Sequence, residues 1–89
     1  MTEPDSSLLE FPLDFPIKIM GRRVDGFAQA MADLVCAHLP EFDPATMEFR
    51  SSAQGNYLGM TVTVRVESRE QLDGIYRALT GHPMVKLVL

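Results

Sequence analysis

The 89-residue sequence has no tryptophan, a single cysteine and no long apolar segment. The last two features limit the kinds of protein that this chain can form. Cys36 cannot form a disulfide within the chain, so the fold must rest on a buried core. No stretch approaches the ~18 apolar residues of a membrane span. The acidic start lacks the basic and apolar regions of a secretory signal. We therefore expect a cytoplasmic protein with no membrane partner.

Basic residues are also in the minority, and their distribution bears on the partners. The chain has 8 Lys and Arg against 12 Asp and Glu. Residues 1–14 contain Glu3, Asp5, Glu10 and Asp14 but no basic residue, so the remaining charges balance. Binding nucleic acid through its phosphates requires a basic surface that releases counterions. We therefore expect no nucleic-acid partner.

Hydrophobic patterning divides the chain into a tail and one domain. Residues 1–12 are acidic and proline-containing, which predicts a partly mobile tail with an apolar foothold at Leu8, Leu9 and Phe11. Residues 13–89 are long enough for one domain. Within them, apolar residues alternate in segments that favour strands. These predicted strands are 13–20, 46–51, 57–67 and 84–89.

Two segments between the strands have helical spacing. After Gly21, which we expect to end the first strand, apolar residues recur at three- and four-residue steps from Val24 to His38. Ser68 and Gln71 form a capping box before a second amphipathic segment. The order βαββαβ predicts an α+β ferredoxin-like sandwich, in which a four-stranded antiparallel sheet carries both helices on one face.

The other face of such a sheet is open to solvent or to a partner. We expect the last strand to turn Val85, Leu87 and Leu89 toward the core and its other residues outward. Phe49 is expected to point inward with Met47. The predicted interaction face consists of Lys18, Met20, Thr61, Thr63, Arg65, Met84, Lys86 and Val88.

Little in the sequence indicates catalysis, a metal or a cofactor. The two histidines, His38 and His82, lack a second ligand at metal-binding spacing, and we interpret His38 as a helix-end cap. Cys36 has no obvious activating base and fits a small core or boundary residue. We assign no catalytic residue, no metal ligand and no cofactor, and expect no enzyme.

The loop from Gly21 to Phe27 is the most chemically suggestive segment. Arg22 and Arg23 precede a helix whose first amides are suited to an anion, although solvated arginines beside a strand exit explain the same pattern. The loop faintly resembles the phosphate loop of acylphosphatases but lacks their arginine inside the helix. Tyr57 is a single aromatic residue and makes no base-stacking platform. The candidate ligand-binding residues are Arg22, Arg23, Ser51, Ser52, Asn56 and Tyr57.

Several segments together resemble the YbeD-like family of small bacterial proteins of uncharacterised function. They are 10–12 (EFP), 15–21 (FPIKIMG), 50–52 with 55–57 (RSS and GNY), 61–64 (TVTV) and 85–89 (VKLVL). Gly59 stands where the resemblance leads us to expect serine. The resemblance implies a fold similar to ACT regulatory domains, which bind amino acids and often pair through strand edges, and a loose association with lipoate metabolism. It transfers no catalytic residue.

Two functional hypotheses follow. The first is a non-enzymatic regulatory module that recognises a small metabolite, or another protein, through the open sheet face or the Gly21 to Phe27 loop. The second is an interaction module that pairs with a partner protein or with itself as a homodimer, through a sheet edge or the open face.

Overall fold

The computed structural model describes residues 10–89. The expected tail over residues 1–7 and the contacts of Leu8 and Leu9 lie outside this part of the chain, whereas Phe11 packs partly buried against the core. The elements are β1 (Leu13–Arg22), α1 (Phe27–His38), a 3-10 turn (Pro44–Thr46), β2 (Glu48–Ser51), β3 (Tyr57–Val66), α2 (Arg69–Thr80) and β4 (Val85–Val88).

The four strands form one antiparallel sheet in the order β2-β3-β1-β4. Alternate residues of β1 and β3 join the apolar faces of both helices in a single core, so both helices cover the same side of the sheet. Fully buried members of this core include Ile17, Val62, Val64, Phe27 and Ile75. The predicted ferredoxin-like sandwich is confirmed.

The N-terminus of α2 shows how local sequence starts a helix. The Ser68 hydroxyl accepts a hydrogen bond from the backbone N–H of Gln71 at 3.2 Å. The Gln71 side chain in turn accepts one from the backbone N–H of Glu67 at 2.7 Å. The capping box predicted from the sequence is therefore present, although the reciprocal bond reaches the residue before the cap.

The junction of β1 and α1 differs from the prediction. β1 does not end at Gly21 but continues to Arg22, and α1 begins only at Phe27. Gly26 precedes the helix with a positive φ of 85°, which glycine adopts without strain. Val24 therefore lies outside the helix and is half exposed, while Phe27 begins the buried stripe.

The orientation predicted for the last strand holds at Val85 but is wrong at Leu87, Val88 and Leu89, because β4 contains a bulge. Met20 pairs with Leu87, but Gly21 pairs with Val85, so Lys86 is an extra residue without a partner. The alternation therefore shifts by one position after Lys86. Met84, Val85 and Val88 pack against the core, whereas Leu87 and Leu89 are exposed.

Phe49 faces the helix side of the sheet as predicted, but it is not buried there. It pairs with the buried Met60 and so lies on the helix side of the sheet. It is nevertheless 52% exposed, because β2 is a short edge strand in which every residue is exposed. Met47, just before β2, is buried as predicted.

Candidate functional site

The open face of the sheet is a grid whose rows follow from the strand register. One row places Glu48, Thr61 and Lys18 side by side on β2, β3 and β1. The next row runs Arg50, Gly59, Met20 and Leu87 across all four strands. Gly59 contributes no side chain, so a depression, here called the hollow, lies above Gly59 in the middle of this second row.

The hollow is the floor of a groove with a volume of about 390 Å³. Arg50 and Lys18 bring cationic side chains to it, and Glu48 adds one carboxylate. Its apolar wall faces β4, where Met20 and Leu87 are 42% and 48% exposed. The groove therefore combines charge with apolar surface, which is how proteins bind small amphiphilic molecules.

Packing does not explain why residue 59 is glycine. A Cβ at this position would lie 3.5 Å from the carbonyl oxygen of Arg50 and 3.9 Å from the Cε of Met20, which are ordinary contacts. The pairing of β3 with β1 and β2 runs through Gly59 without a register shift. A strand glycine that needs neither a bulge nor space for its neighbours is typical of a surface that something approaches closely.

The structure brings the six candidate ligand-binding residues to one end of the sheet. Arg22 pairs with Tyr57 across β1 and β3. The Arg23 backbone N–H donates to the carbonyl oxygen of Asn56 at 2.9 Å. The Ser52 hydroxyl accepts from the backbone N–H of Tyr57 at 3.1 Å, and Ser51 ends β2 beside them. This cluster adjoins the groove but does not line it, and its role stays a prediction.

The residues predicted for the interaction face fall into two groups. Lys18, Met20, Thr61, Thr63 and Arg65 alternate with buried residues of β1 and β3 and share the open face. The second group is Met84, Lys86 and Val88. Val88 faces the core because of the β4 bulge, Met84 packs against the core from the turn before β4, and Lys86 is the exposed extra residue of the bulge.

Sequence reasoning missed three contributors to the groove. Arg50 was detectable, because its two-residue spacing from Glu48 places both on one face of β2. Leu87 and Leu89 were not detectable, because the alternation of β4 alone gives no sign of the bulge that turns them outward.

The histidine and cysteine side chains have ordinary structural surroundings. The Nδ1 of His82 accepts a hydrogen bond from the backbone N–H of Met84 at 3.1 Å. The Sγ of Cys36 lies 3.7 Å from the carbonyl oxygen of Phe42, at the half-buried edge of the core. His38 is exposed in the last turn of α1. Within residues 10–89 no three His, Cys, Asp or Glu side chains are grouped as a metal site.

The Tyr76 hydroxyl links α2 to the last residue of the chain. The Tyr76 ring meets Phe15 edge to face at 6.3 Å between centroids, and its hydroxyl donates to the carbonyl oxygen of Leu89 at 3.3 Å. Burial raises the pKa of the Tyr76 phenol, because the charged phenolate loses solvation there. In the described part of the chain, neither helix is long and apolar enough to cross a membrane.

Solved structures place this fold in the ferredoxin-like class that includes ACT domains. A protein from H. pylori, solved in solution, superimposes with a TM-score of 0.75 at 15% identity and covers 100% of this chain and 97% of its own. The ACT domain from the GTP pyrophosphokinase of Chlorobium tepidum superimposes with a TM-score of 0.52 at 20% identity, over 86% of this chain and 97% of that domain. At these identities the likeness concerns the fold alone.

Sequence comparison then identifies the family. Residues 6–89 match the model of a protein of unknown function, DUF493. The UPF0250 protein of Bordetella pertussis is 58% identical over 97% of this chain and 94% of its own. That of Ralstonia nicotianae is 59% identical over 99% and 91%. The chain therefore belongs to the DUF493 family, also called UPF0250, which confirms the YbeD-like resemblance found in its sequence.

Proposed function

We propose that this protein is a non-catalytic binding module that holds a small, partly apolar carboxylate in the groove above Gly59. The observation that carries the proposal is a glycine in the middle of β3 with room for a side chain. Arg50 lies beside it on β2, the exposed apolar residues Met20 and Leu87 lie on the other side, and Lys18 adds a second cation in the neighbouring row. The missing side chain of Gly59 leaves the strand backbone open to close approach.

Each part of such a ligand has a counterpart in the groove. The Arg50 guanidinium and the Lys18 ammonium are suited to a carboxylate, because charge-assisted hydrogen bonds are the stronger ones. The aliphatic part of the ligand would lie against Met20 and Leu87. The groove is a half-open cleft and not an enclosed cavity, which favours binding over acid–base catalysis.

The family resemblance guides the choice of compounds. Its association with lipoate metabolism makes lipoate, a carboxylate on an aliphatic chain, one member of the test panel. The likeness to ACT domains adds aliphatic amino acids, and simple short-chain carboxylates complete it. A cytoplasmic location, expected from the sequence, fits access to such metabolites and is part of the proposal.

Titration of the ¹⁵N-labelled protein with this panel tests the proposal. At least one compound should shift the amide signals of Lys18, Arg50, Gly59 and Leu87 in a saturable way. Arg50→Ala should weaken that binding by about tenfold, the effect of losing one charge-assisted hydrogen bond.

Two variants on the same face of β3 separate the groove from its surroundings. Gly59→Val fills the hollow and should abolish binding, whereas Thr63→Val, which lies outside the groove, should leave binding unchanged. The proposal is refuted if no compound shifts these amide signals, or if a folded Gly59→Val protein binds the same compound unchanged.

A further inference from the structure

The open face carries opposite charges at its two ends. Arg22, Lys18 and Arg50 lie in the half of the sheet around Gly59, with Glu48 as the carboxylate among them. The other half adjoins a second groove of about 460 Å³, whose lining includes four acidic residues and one arginine. These are Asp14, Glu41, Asp43, Glu67 and Arg65.

The acidic groove lies at the edge of this face, where β3 extends past the end of β2. Thr63 and Arg65 of β3 form one side, and they alternate with the buried Val64 and Val66. The other side is the helix layer, formed by the connection after α1, where Leu39 and Phe42 are half buried, and by Gln71 of α2. Its arginine is already engaged, because the Nη1 of Arg65 lies 3.3 Å from the Oδ1 of Asp14.

We propose that a second copy of this chain covers the open face, turned end for end. A two-fold axis parallel to the sheet and perpendicular to its strands would place the basic half of each copy over the acidic end of the other. The same pair of surfaces then meets twice, as a two-fold dimer requires. A face with a basic half and an acidic half is complementary to itself in this orientation alone, because sliding two copies together in parallel would oppose like charges.

The apolar surface and the available area fit a weak dimer. Met20 and Leu87 are half exposed beside the basic groove and would lose water in the contact. Four strands of these lengths, spaced about 4.8 Å apart with about 3.3 Å per residue, give a face of roughly 450 Å² per copy. Two such faces total about 900 Å², which is below the roughly 1,200 Å² of stable specific interfaces, so we expect transient association.

This dimer does not depend on the proposed ligand, although both occupy the same face. A molecule in the Gly59 groove would compete with the second copy, so each would weaken the binding of the other by the same factor. Ligand titrations at protein concentrations below the dimerisation range therefore test the ligand separately.

Charge reversal tests the dimer, because a mixture of two complementary variants should restore association that a general disruption of the surface would not restore. One variant carries Arg22→Glu and Arg50→Glu, and the other carries Glu41→Lys and Glu67→Lys, all at exposed positions. Each variant alone has two ends of the same sign, and analytical ultracentrifugation at low salt should show its association weakened at least about tenfold. An equimolar mixture of the two restores both contacts and should associate as the wild type does.

Two controls complete the experiment. Asp33→Lys changes an exposed charge on α1, on the helix side of the molecule, and should leave association unchanged. Salt near 1 M, where the Debye length falls to about 3 Å, should weaken the wild-type dimer. A wild type that stays monomeric at about 1 mM would overturn the proposal. A mixture that fails to associate, or a dimer that survives in both variants, would overturn it as well.

Discussion

Two glycines in neighbouring strands allow the packing of this fold to be tested by a matched pair of substitutions. Gly21 lies on β1 with its missing side chain directed at the core, and Gly59 lies on β3 facing the open side. A Cβ at Gly21 would come within 2.6 Å of the Cζ and 2.9 Å of the Cε2 of Phe27. It would also collide with the carbonyl oxygen of Met84.

The magnitude follows from what surrounds each site. Phe27 is fully buried and cannot move its ring into solvent, and the oxygen of Met84 belongs to the backbone entering β4. Overpacking of a core costs about 1–3 kcal/mol, and here both neighbours resist displacement. We expect Gly21→Ala to lower the free energy of unfolding by about 2–3 kcal/mol. Gly59→Ala should raise it by about 0.5–1 kcal/mol, the usual gain from replacing a strand glycine that has room for a methyl group.

Urea denaturation followed by far-ultraviolet circular dichroism measures both changes, which suits a chain without tryptophan. In a domain of this size, the Gly21→Ala loss corresponds to a fall in Tm of about 10–20 °C. Equal stability of Gly21→Ala and wild type would show that Phe27 does not pack against this strand as described. A loss of more than about 1 kcal/mol in Gly59→Ala would show that the groove lacks the space assigned to it.

Two further predictions concern α2. Ser68→Ala removes the acceptor for the Gln71 N–H and should lower the free energy of unfolding by about 1 kcal/mol. Thermal denaturation measures this change, and Ser51→Ala, at an exposed serine at the end of β2, is the control. The second prediction concerns Tyr76, whose pKa is raised by burial. The neutral phenol therefore contributes fully to stability below about pH 10, and this contribution is lost as the pH rises through the folded-state pKa. Tyr76→Phe should cost about 0.5–1 kcal/mol at pH 8 and flatten the fall in stability above pH ~10, and an unchanged alkaline slope would contradict the assignment.

The fold was predictable because local and long-range signals agree in this chain. The alternation in β3, the capping box at Ser68 and the two helical stripes each favour the element that forms. The exceptions occur where a contact distant in sequence decides the local geometry. β1 continues through Gly21 because that residue pairs with Leu58 on one side and Val85 on the other, which no local pattern reveals.

The candidate site was predictable only in part, for a related reason. The polar members of the open face follow from strand alternation, so Lys18 and Thr61 lie where the sequence places them. The apolar wall depends on the bulge at Lys86, and the hollow depends on which residues flank Gly59 across the sheet. Both are properties of register, which is set by pairing between distant segments.

The groove predicts that stability and binding change in opposite directions at one position. A valine at residue 59 gains strand propensity and contacts above β3, so Gly59→Val should be more stable than the wild type by about 0.5–1 kcal/mol while losing the carboxylate ligand. Loss of binding through unfolding would instead lower stability, so the two measurements together distinguish a filled site from a damaged fold. Gly59→Ser, which restores the residue expected from the family resemblance, should retain part of the binding, because its hydroxymethyl group fills less of the hollow. If Gly59→Val gains stability and still binds every compound that the wild type binds, the absence of a side chain at residue 59 is not required for ligand binding.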